Sequence, residues 1–80
     1  MANLEYWTDK ISNEIKKYDE YAQIEVTQET YEGEDAYVLV NTVLDELYLM
    51  RQVVHVQGEA SLDDYFIVVL PTQIKKAAGM

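Results

Sequence analysis

The side chains of this chain that could do chemistry are one histidine and fifteen carboxylates, and there is no cysteine. His55 has no thiol to activate and no second imidazole with which to share a metal ion. It therefore lacks the partners that nucleophilic catalysis and zinc sites require. We expect His55 to be a surface or packing residue, and we predict no catalytic residues, no cofactor and no enzyme activity.

Two groups of carboxylates are close enough in sequence to suggest a hard cation such as calcium. They are Glu59 with Asp63 and Asp64, and Glu32 with Glu34 and Asp35. Neither group has the alternating ligands and turn glycine of an EF-hand loop. Carboxylates in loops are usually solvated, so we predict no metal site.

A third pattern interleaves carboxylates with tyrosines between residues 18 and 37. Tyrosine is enriched at binding hot spots, and carboxylates in a row on a rigid edge imitate the spaced charges of a DNA backbone. The alternative interpretation is a solvated acidic surface that serves solubility. On the first interpretation the surrogate phosphates are Glu25, Glu29, Glu32, Glu34 and Asp35, and Tyr31 is an aromatic anchor.

The net charge is −9, from 15 acidic and 6 basic residues. Twelve of the carboxylates lie between Tyr18 and Asp64, where Arg51 is the single basic residue. Nucleic acid is excluded as a direct ligand because its phosphates would be repelled, and a basic protein surface is the natural partner. There is no basic leader followed by an apolar run, nor about 20 consecutive apolar residues, so we predict a cytoplasmic protein without membrane contact.

Periodicity predicts one helix and four strands. A helix is predicted over residues 3–18, capped by Asn3, and period-two alternation predicts a strand over 22–30. A turn at residues 32–35 leads into a second strand over 36–44, and a continuous apolar run predicts a central strand over 65–70, ended by Pro71. The helix stripe consists of Leu4, Trp7, Ile11, Ile15 and Tyr18.

Residues 44–57 fit two structures. Leu44, Leu47, Arg51 and Val54 have helical spacing, whereas the valines at 53, 54 and 56 favour a strand. We assign a strand to 48–57, followed by a loop centred on Gly58, and expect residues 72–80 to fray. The prediction is a single α+β domain over 1–80, with an N-terminal helix packed on an antiparallel sheet of about four strands in two layers.

Short segments resemble the phage uracil-DNA glycosylase inhibitor family, small acidic proteins that block a DNA-repair enzyme by mimicking DNA. Met1-Ala2-Asn3-Leu4 is similar to the family's Met-x-Asn-Leu start. The strand Val26-Thr27-Gln28-Glu29-Thr30 resembles the family's strand that ends in Gln-Glu-Ser. Residues 39–46 resemble its Leu-Val-x-Thr-x-x-Asp-Glu segment, and residues 65–70 resemble its later apolar strand.

The resemblance implies that Glu29 and Thr30, beside Gln28, face the enzyme's DNA groove and that residues 32–35 add flanking charge. The family places a second helix after the Gln-Glu-Ser strand, and here only residues 31–36 fill that gap. In the family this helix helps to form an apolar cavity that captures a side chain of the enzyme. The resemblance implies that the cavity is rebuilt here from Val40, Met50 and Val54.

The predicted function is that of an acidic DNA-mimic inhibitor that blocks the DNA-binding groove of an enzyme, with a uracil-DNA glycosylase as target in the cytoplasm of a bacterial host. The charge argument fits equally an anti-defence inhibitor of a CRISPR effector or a restriction enzyme. A third hypothesis is a non-mimetic interaction module, such as an antitoxin or assembly subunit, that uses the apolar run at 47–50. A monomer is favoured for a decoy, and a dimer for the module if that run is exposed.

Overall fold

The computed structural model describes residues 3–73, and its sheet is mixed rather than antiparallel. The elements in chain order are α1 Leu4–Tyr18, β1 Gln23–Thr27, β2 Ala36–Thr42, α2 Glu46–Leu62 and β3 Ile67–Gln73. The three strands lie in the order β1-β2-β3, with β1 antiparallel to β2 and β3 parallel to it. The predicted α+β class is confirmed, whereas the sheet of four antiparallel strands is wrong.

Helix α1 begins at a side-chain cap and presents one apolar stripe to the core. The Asn3 side chain accepts a hydrogen bond from the Tyr6 amide at 2.9 Å, which satisfies a free amide of the first turn. Glu5 lies in the first turn and Lys16 and Lys17 in the last, as the helix dipole favours. The helix predicted over residues 3–18 is therefore observed over Leu4–Tyr18, with Asn3 as its cap.

Strands β1 and β2 are shorter than the predicted 22–30 and 36–44, because each ends at a threonine that turns the chain. The Thr27 hydroxyl accepts the amide of Glu29 at 3.1 Å, and the Thr42 hydroxyl accepts the amide of Leu44 at 3.1 Å. A hydroxyl that binds the amide two residues further on replaces the next rung of a ladder. The two strands pair from Gln23 with Asn41 to Thr27 with Tyr37, and residues 28–35 connect them.

The strand predicted over 48–57 is wrong, because those residues lie within α2, and so is the loop centred on Gly58. The Asp45 carboxylate caps the helix by accepting the amides of Leu47 and Tyr48. Burial of one helical stripe outweighs the modest preference of β-branched residues for strands. The buried positions follow each other at intervals of four, three and four residues: Leu49, Val53, Val56 and Ala60.

Helix α2 also decides the direction of β3. Two neighbouring parallel strands need a crossover of a dozen or more residues, and α2 provides it between β2 and β3. The predicted strand 65–70 is observed as Ile67–Gln73, at an edge of the sheet instead of its centre. Pro71 is tolerated there because an edge strand has one side without a ladder. Of the predicted frayed tail, 72 and 73 belong to β3, and 74–80 lie outside the described residues.

Both helices pack on the same face of the sheet. Along β2, Ala36, Val38, Val40 and Thr42 are buried toward the helices, and the intervening residues are half-buried on the other face. Trp7 closes one end of the core, where its indole N–H donates to the Asp63 carboxylate at 2.9 Å. Neither helix of the described residues has the length and apolar character needed to cross a bilayer.

Substituting Gly58 by alanine is expected to stabilise the protein by about 0.5–1 kcal/mol, because glycine inside a helix costs conformational entropy. A β-carbon at this position meets no atom within 4 Å. Chemical unfolding followed by circular dichroism measures the change. Gly33→Ala is the matched control: it should destabilise the protein, because Gly33 has φ +88°. A loss of stability in Gly58→Ala would contradict the helical assignment.

The two leucines of the α2 segment 47–50 should respond oppositely to truncation. Leu49 is fully buried, so Leu49→Ala is expected to cost about 2–5 kcal/mol of unfolding free energy. Leu47 is 73% exposed, so Leu47→Ala should stay within about 0.5 kcal/mol. Urea unfolding of both variants measures the two changes in unfolding free energy. Equal losses would show that the buried side of α2 has been assigned to the wrong residues.

Candidate functional site

Seven of the eight residues predicted to bind a partner lie in the connection between β1 and β2, residues 28–35, called here the acidic loop. The eighth, Glu25, is exposed on β1 and pairs across the ladder with Leu39. Strand β1 is an edge of the sheet, so the acidic loop continues directly from an open strand edge. Together they form one continuous acidic margin of the molecule.

Three hydrogen bonds within the hairpin hold the acidic loop in shape. The Thr30 hydroxyl donates to the carbonyl of Glu34 at 2.8 Å, and the Tyr37 hydroxyl accepts the amide of Tyr31 at 3.2 Å. The Glu34 carboxylate accepts the amide of Glu32 at 3.0 Å. The Tyr31 and Tyr37 rings also lie near each other, with centroids 6.1 Å apart. The loop is therefore ordered by its own contacts before it meets a partner.

The ionisation of the loop reflects these contacts. The amide of Glu32 donates to the Glu34 carboxylate, and this bond holds the pKa of Glu34 below its usual 4.5. Burial raises the pKa of Tyr37 and so favours the neutral form of its hydroxyl. The loop thus combines a firmly ionised carboxylate with a neutral phenol that accepts a backbone amide.

The base of the acidic loop is tied to β3. The Asp35 carboxylate accepts the amide of Phe66 at 2.7 Å, and the Asp35 amide donates to the carbonyl of Phe66 at 2.8 Å. These two bonds join the starts of β2 and β3. Asp35 is half-buried, so its carboxylate acts inside the fold as well as contributing charge.

The predicted site residues thus divide into two groups. Thr30, Glu34 and Asp35 make side-chain hydrogen bonds within the fold. The others present exposed side chains that make no hydrogen bond or ion pair within residues 3–73: Glu25, Gln28, Glu29, Tyr31 and Glu32. Tyr31 is 90% exposed, the same fraction as the most exposed leucine. The second group is the part of the margin that is free to contact another molecule.

The described residues carry cations in the helical layer only. Their cations all lie on helices, three in α1 and Arg51 in α2, while the strands and the acidic loop have none. Two of the lysines are paired on the helical layer, Lys10 with Glu59 at 3.2 Å and Lys17 with Glu14 at 3.0 Å. The acidic margin is therefore not neutralised from within the described chain, and it attracts a positive surface.

The structure does not bring the residues of the expected apolar cavity into one environment. Val40 is fully buried in the core, and Met50 packs against the core. Val54 is 59% exposed on the outer side of α2.

The other chemistry-bearing residues have structural partners or solvent around them. His55 is exposed on α2, with Nε2 at 3.9 Å from the Glu14 carboxylate. Glu59 pairs with Lys10, and Asp63 accepts the indole N–H of Trp7. Within residues 3–73 no group of three or more His, Asp or Glu side chains is arranged to hold a metal ion.

Sequence reasoning missed one exposed aromatic residue beside the loop. Phe66 is 61% exposed, although it lies in the apolar run that was assigned to a buried strand. Because every residue from 65 to 70 is apolar or aromatic, the pattern held no signal that one face of this strand is uncovered.

Acidification should loosen the acidic loop in a defined pH window. The ionised form of Glu34 is favoured in the folded protein, so its contribution to stability is complete above pH 4.5 and is lost as the pH falls through the lowered pKa. In NMR spectra we expect the Glu32 amide and the Glu34 carboxyl carbon to titrate together below pH 4.5. Glu34→Gln should abolish the change at the Glu32 amide, and Glu29→Gln should leave it intact. A Glu34 midpoint at or above 4.5 would contradict the bond.

No family model matches this chain, and searches of curated proteins and of solved structures found no match either. The likeness to the phage inhibitors therefore rests on the short sequence segments alone.

Proposed function

We propose that this protein is an acidic DNA-mimic inhibitor that occupies the DNA-binding groove of a DNA-processing enzyme, with a uracil-DNA glycosylase as the first target. The observation that carries the proposal is the set of exposed carboxylates of Glu25, Glu29 and Glu32. These carboxylates make no hydrogen bond or ion pair within residues 3–73, and Glu32 follows the exposed Tyr31 in the chain. The strand edge and acidic loop form the contact surface.

The internal order of the loop supports this role. A loop that is already held by hydrogen bonds from Thr30, Tyr31 and Glu32 loses less conformational freedom on binding than a flexible one. Tyrosine adds contact area at a low entropic cost, because its side chain has only two rotatable angles. The surface is therefore suited to carry fixed charges into a groove.

The mechanism is occupancy without chemistry. A basic groove that neutralises DNA phosphates also attracts carboxylates that extend a similar distance into it. The long-range attraction speeds the encounter. Once seated, the inhibitor and DNA compete for the same cationic side chains. Because exposed charge pairs are screened within about 8–10 Å at physiological salt, this part of the binding should weaken as salt rises.

The second candidate is a non-mimetic interaction module that uses α2. Leu47 and Val54 are 73% and 59% exposed and lie seven residues apart, so they share one side of the helix. An antitoxin or assembly subunit would bind through it, and substituting Leu47 and Val54 by serine would then abolish complex formation while the acidic loop variants would not.

Uracil excision by a bacterial uracil-DNA glycosylase, measured with rising amounts of this protein, tests the first proposal. We expect inhibition at stoichiometric amounts and a loss of about tenfold in affinity for Glu29→Gln/Glu32→Gln, because each exposed ion pair contributes about 0.2–1 kcal/mol. The loss should shrink as salt is raised.

The matched control is Asp9→Asn/Glu46→Gln, which makes the same change in net charge with one exposed carboxylate from each helix. It should inhibit as well as the unchanged protein. Equal loss in both double variants would show a net charge effect and reject the acidic loop as the site. No inhibition at large excess would reject the glycosylase, and the same variants would then be assayed against a CRISPR effector and a restriction enzyme.

A further inference from the structure

The sheet face that is turned away from the helices carries a strip of apolar side chains. Alternation along β2 and β3 places on it the residues that the core does not use, and no element among residues 3–73 covers them. We call this the open face. Its apolar members are Tyr37 and Leu39 of β2, Val68 and Leu70 of β3, and Phe66, which precedes β3 and lines a groove together with Val68.

Phe66 is exposed and yet held in position. Its side chain is 61% exposed, while its amide and carbonyl are both bonded to Asp35. An aromatic ring on a fixed backbone loses little freedom when it is buried against a partner. Leu70, 37% exposed, continues the strip along β3, and it pairs across the ladder with Leu39.

Shallow grooves at two places on the open face combine apolar and acidic walls. One, of about 400 Å³, lies between the acidic loop and the start of β3 and is lined by residues 32–34 and 66–68. The other, of about 440 Å³, lies along the β1–β2 ladder and is lined by Gln23, Ile24, Glu25, Leu39 and Asn41. Each groove thus sets a carboxylate beside a Phe or Leu side chain.

Charge decides which occupant suits the open face. The cations of the described residues lie on the two helices, in the opposite layer, so the rim of the open face is acidic only. A second copy of this chain would bring like charges together across the contact, which costs free energy. A partner with lysine or arginine around an apolar centre would complement both the strip and its rim.

We propose that the open face is a docking surface for a basic protein in which an aromatic or aliphatic side chain is flanked by lysine or arginine. The identity of the partner rests on the proposed function, whereas the apolar face follows from the geometry of the sheet alone. Phe66 and Leu70 supply the desolvated centre of the contact, and Glu25 and Glu32 supply the charged rim. Interfaces concentrate their binding energy in such a desolvated centre.

Two synthetic pentapeptides of equal charge test the inference on the full-length protein. One alternates three arginines with leucine and tryptophan, and the other alternates three arginines with glycine. We expect the first to bind at least about tenfold more tightly and to shift the amide resonances of Leu39, Val68 and Leu70 in NMR titrations. Phe66→Ser should weaken the binding of the first peptide about tenfold, and Leu70→Ser should weaken it as well.

The control variant is Leu62→Ser, which changes a leucine that is 90% exposed at the end of α2. It should bind like the unchanged protein. Equal affinity of the two peptides, shifts confined to the helices, or equal losses in Phe66→Ser and Leu62→Ser would overturn the inference. So would a concentration-dependent mass with shifts at the open face, because a second copy would then be the occupant.

The peptide and glycosylase experiments can fail separately. Peptide binding at the open face without inhibition of the enzyme would leave the docking surface standing and reject the proposed target. Inhibition that is sensitive to Glu29 and Glu32 but not to Phe66, together with equal binding of the peptides, would support the acidic loop and overturn the open face.

Discussion

The parallel pairing of β2 with β3 constrains the rest of the structure. Parallel neighbours cannot be joined by a tight turn, so residues 43–66 must travel back along the sheet before β3 begins. Helix α2 makes that return and packs on the same side as α1. The pairing also sets the start of β3 beside the start of β2, where Asp35 bonds to both backbone groups of Phe66. The position of the base of the acidic loop therefore depends on a contact across 31 residues of chain.

A chain of eighty residues has enough helix to cover one face of its sheet. The two helices, of 15 and 17 residues, bury the alternate positions of β2 and β3, and the other positions form the open face. An uncovered apolar strip normally favours association. Here its rim carries Glu25 and Glu32 and no described cation, so self-association is opposed by charge while approach by a basic surface is favoured.

The acidic composition has two separate uses in this structure. Some carboxylates stabilise the fold: Asp45 caps α2, Asp63 accepts the indole of Trp7, and Asp19 accepts the Thr42 hydroxyl, a bond that lowers the pKa of Asp19. Within residues 3–73, the carboxylates on the β1 edge and in the outer part of the loop have no such hydrogen-bond partner. Only these support the proposed role of the margin, because a charge already bound within the fold is less available to another molecule.

The sequence by itself determined what depends on neighbours along the chain. The α+β class and the position of α1 follow from an apolar stripe and from the Asn3 cap, which act within a few residues. The acidic segment that holds the candidate site is equally visible in the sequence, as is the hairpin turn near Gly33. These features depend on residues close together in the chain, so they do not depend on how the remaining residues fold.

Only the tertiary structure decided what depends on distant partners. The valines of α2 are compatible with strand or helix, and burial against α1 and the sheet selects the helix. The direction of β3 and its place at an edge follow from its pairing with β2. A uniformly apolar run has no periodicity from which that pairing could be predicted. Among the described residues, a carboxylate is unpaired, like that of Glu29, or bound, like that of Asp35, according to which groups folding brings near it. The alternation of charge and aromatic residues indicated a margin. The hydrogen bonds that form on folding, local for Thr30 and Glu34 and long-range for Asp35, decided which of its side chains are bound within the fold.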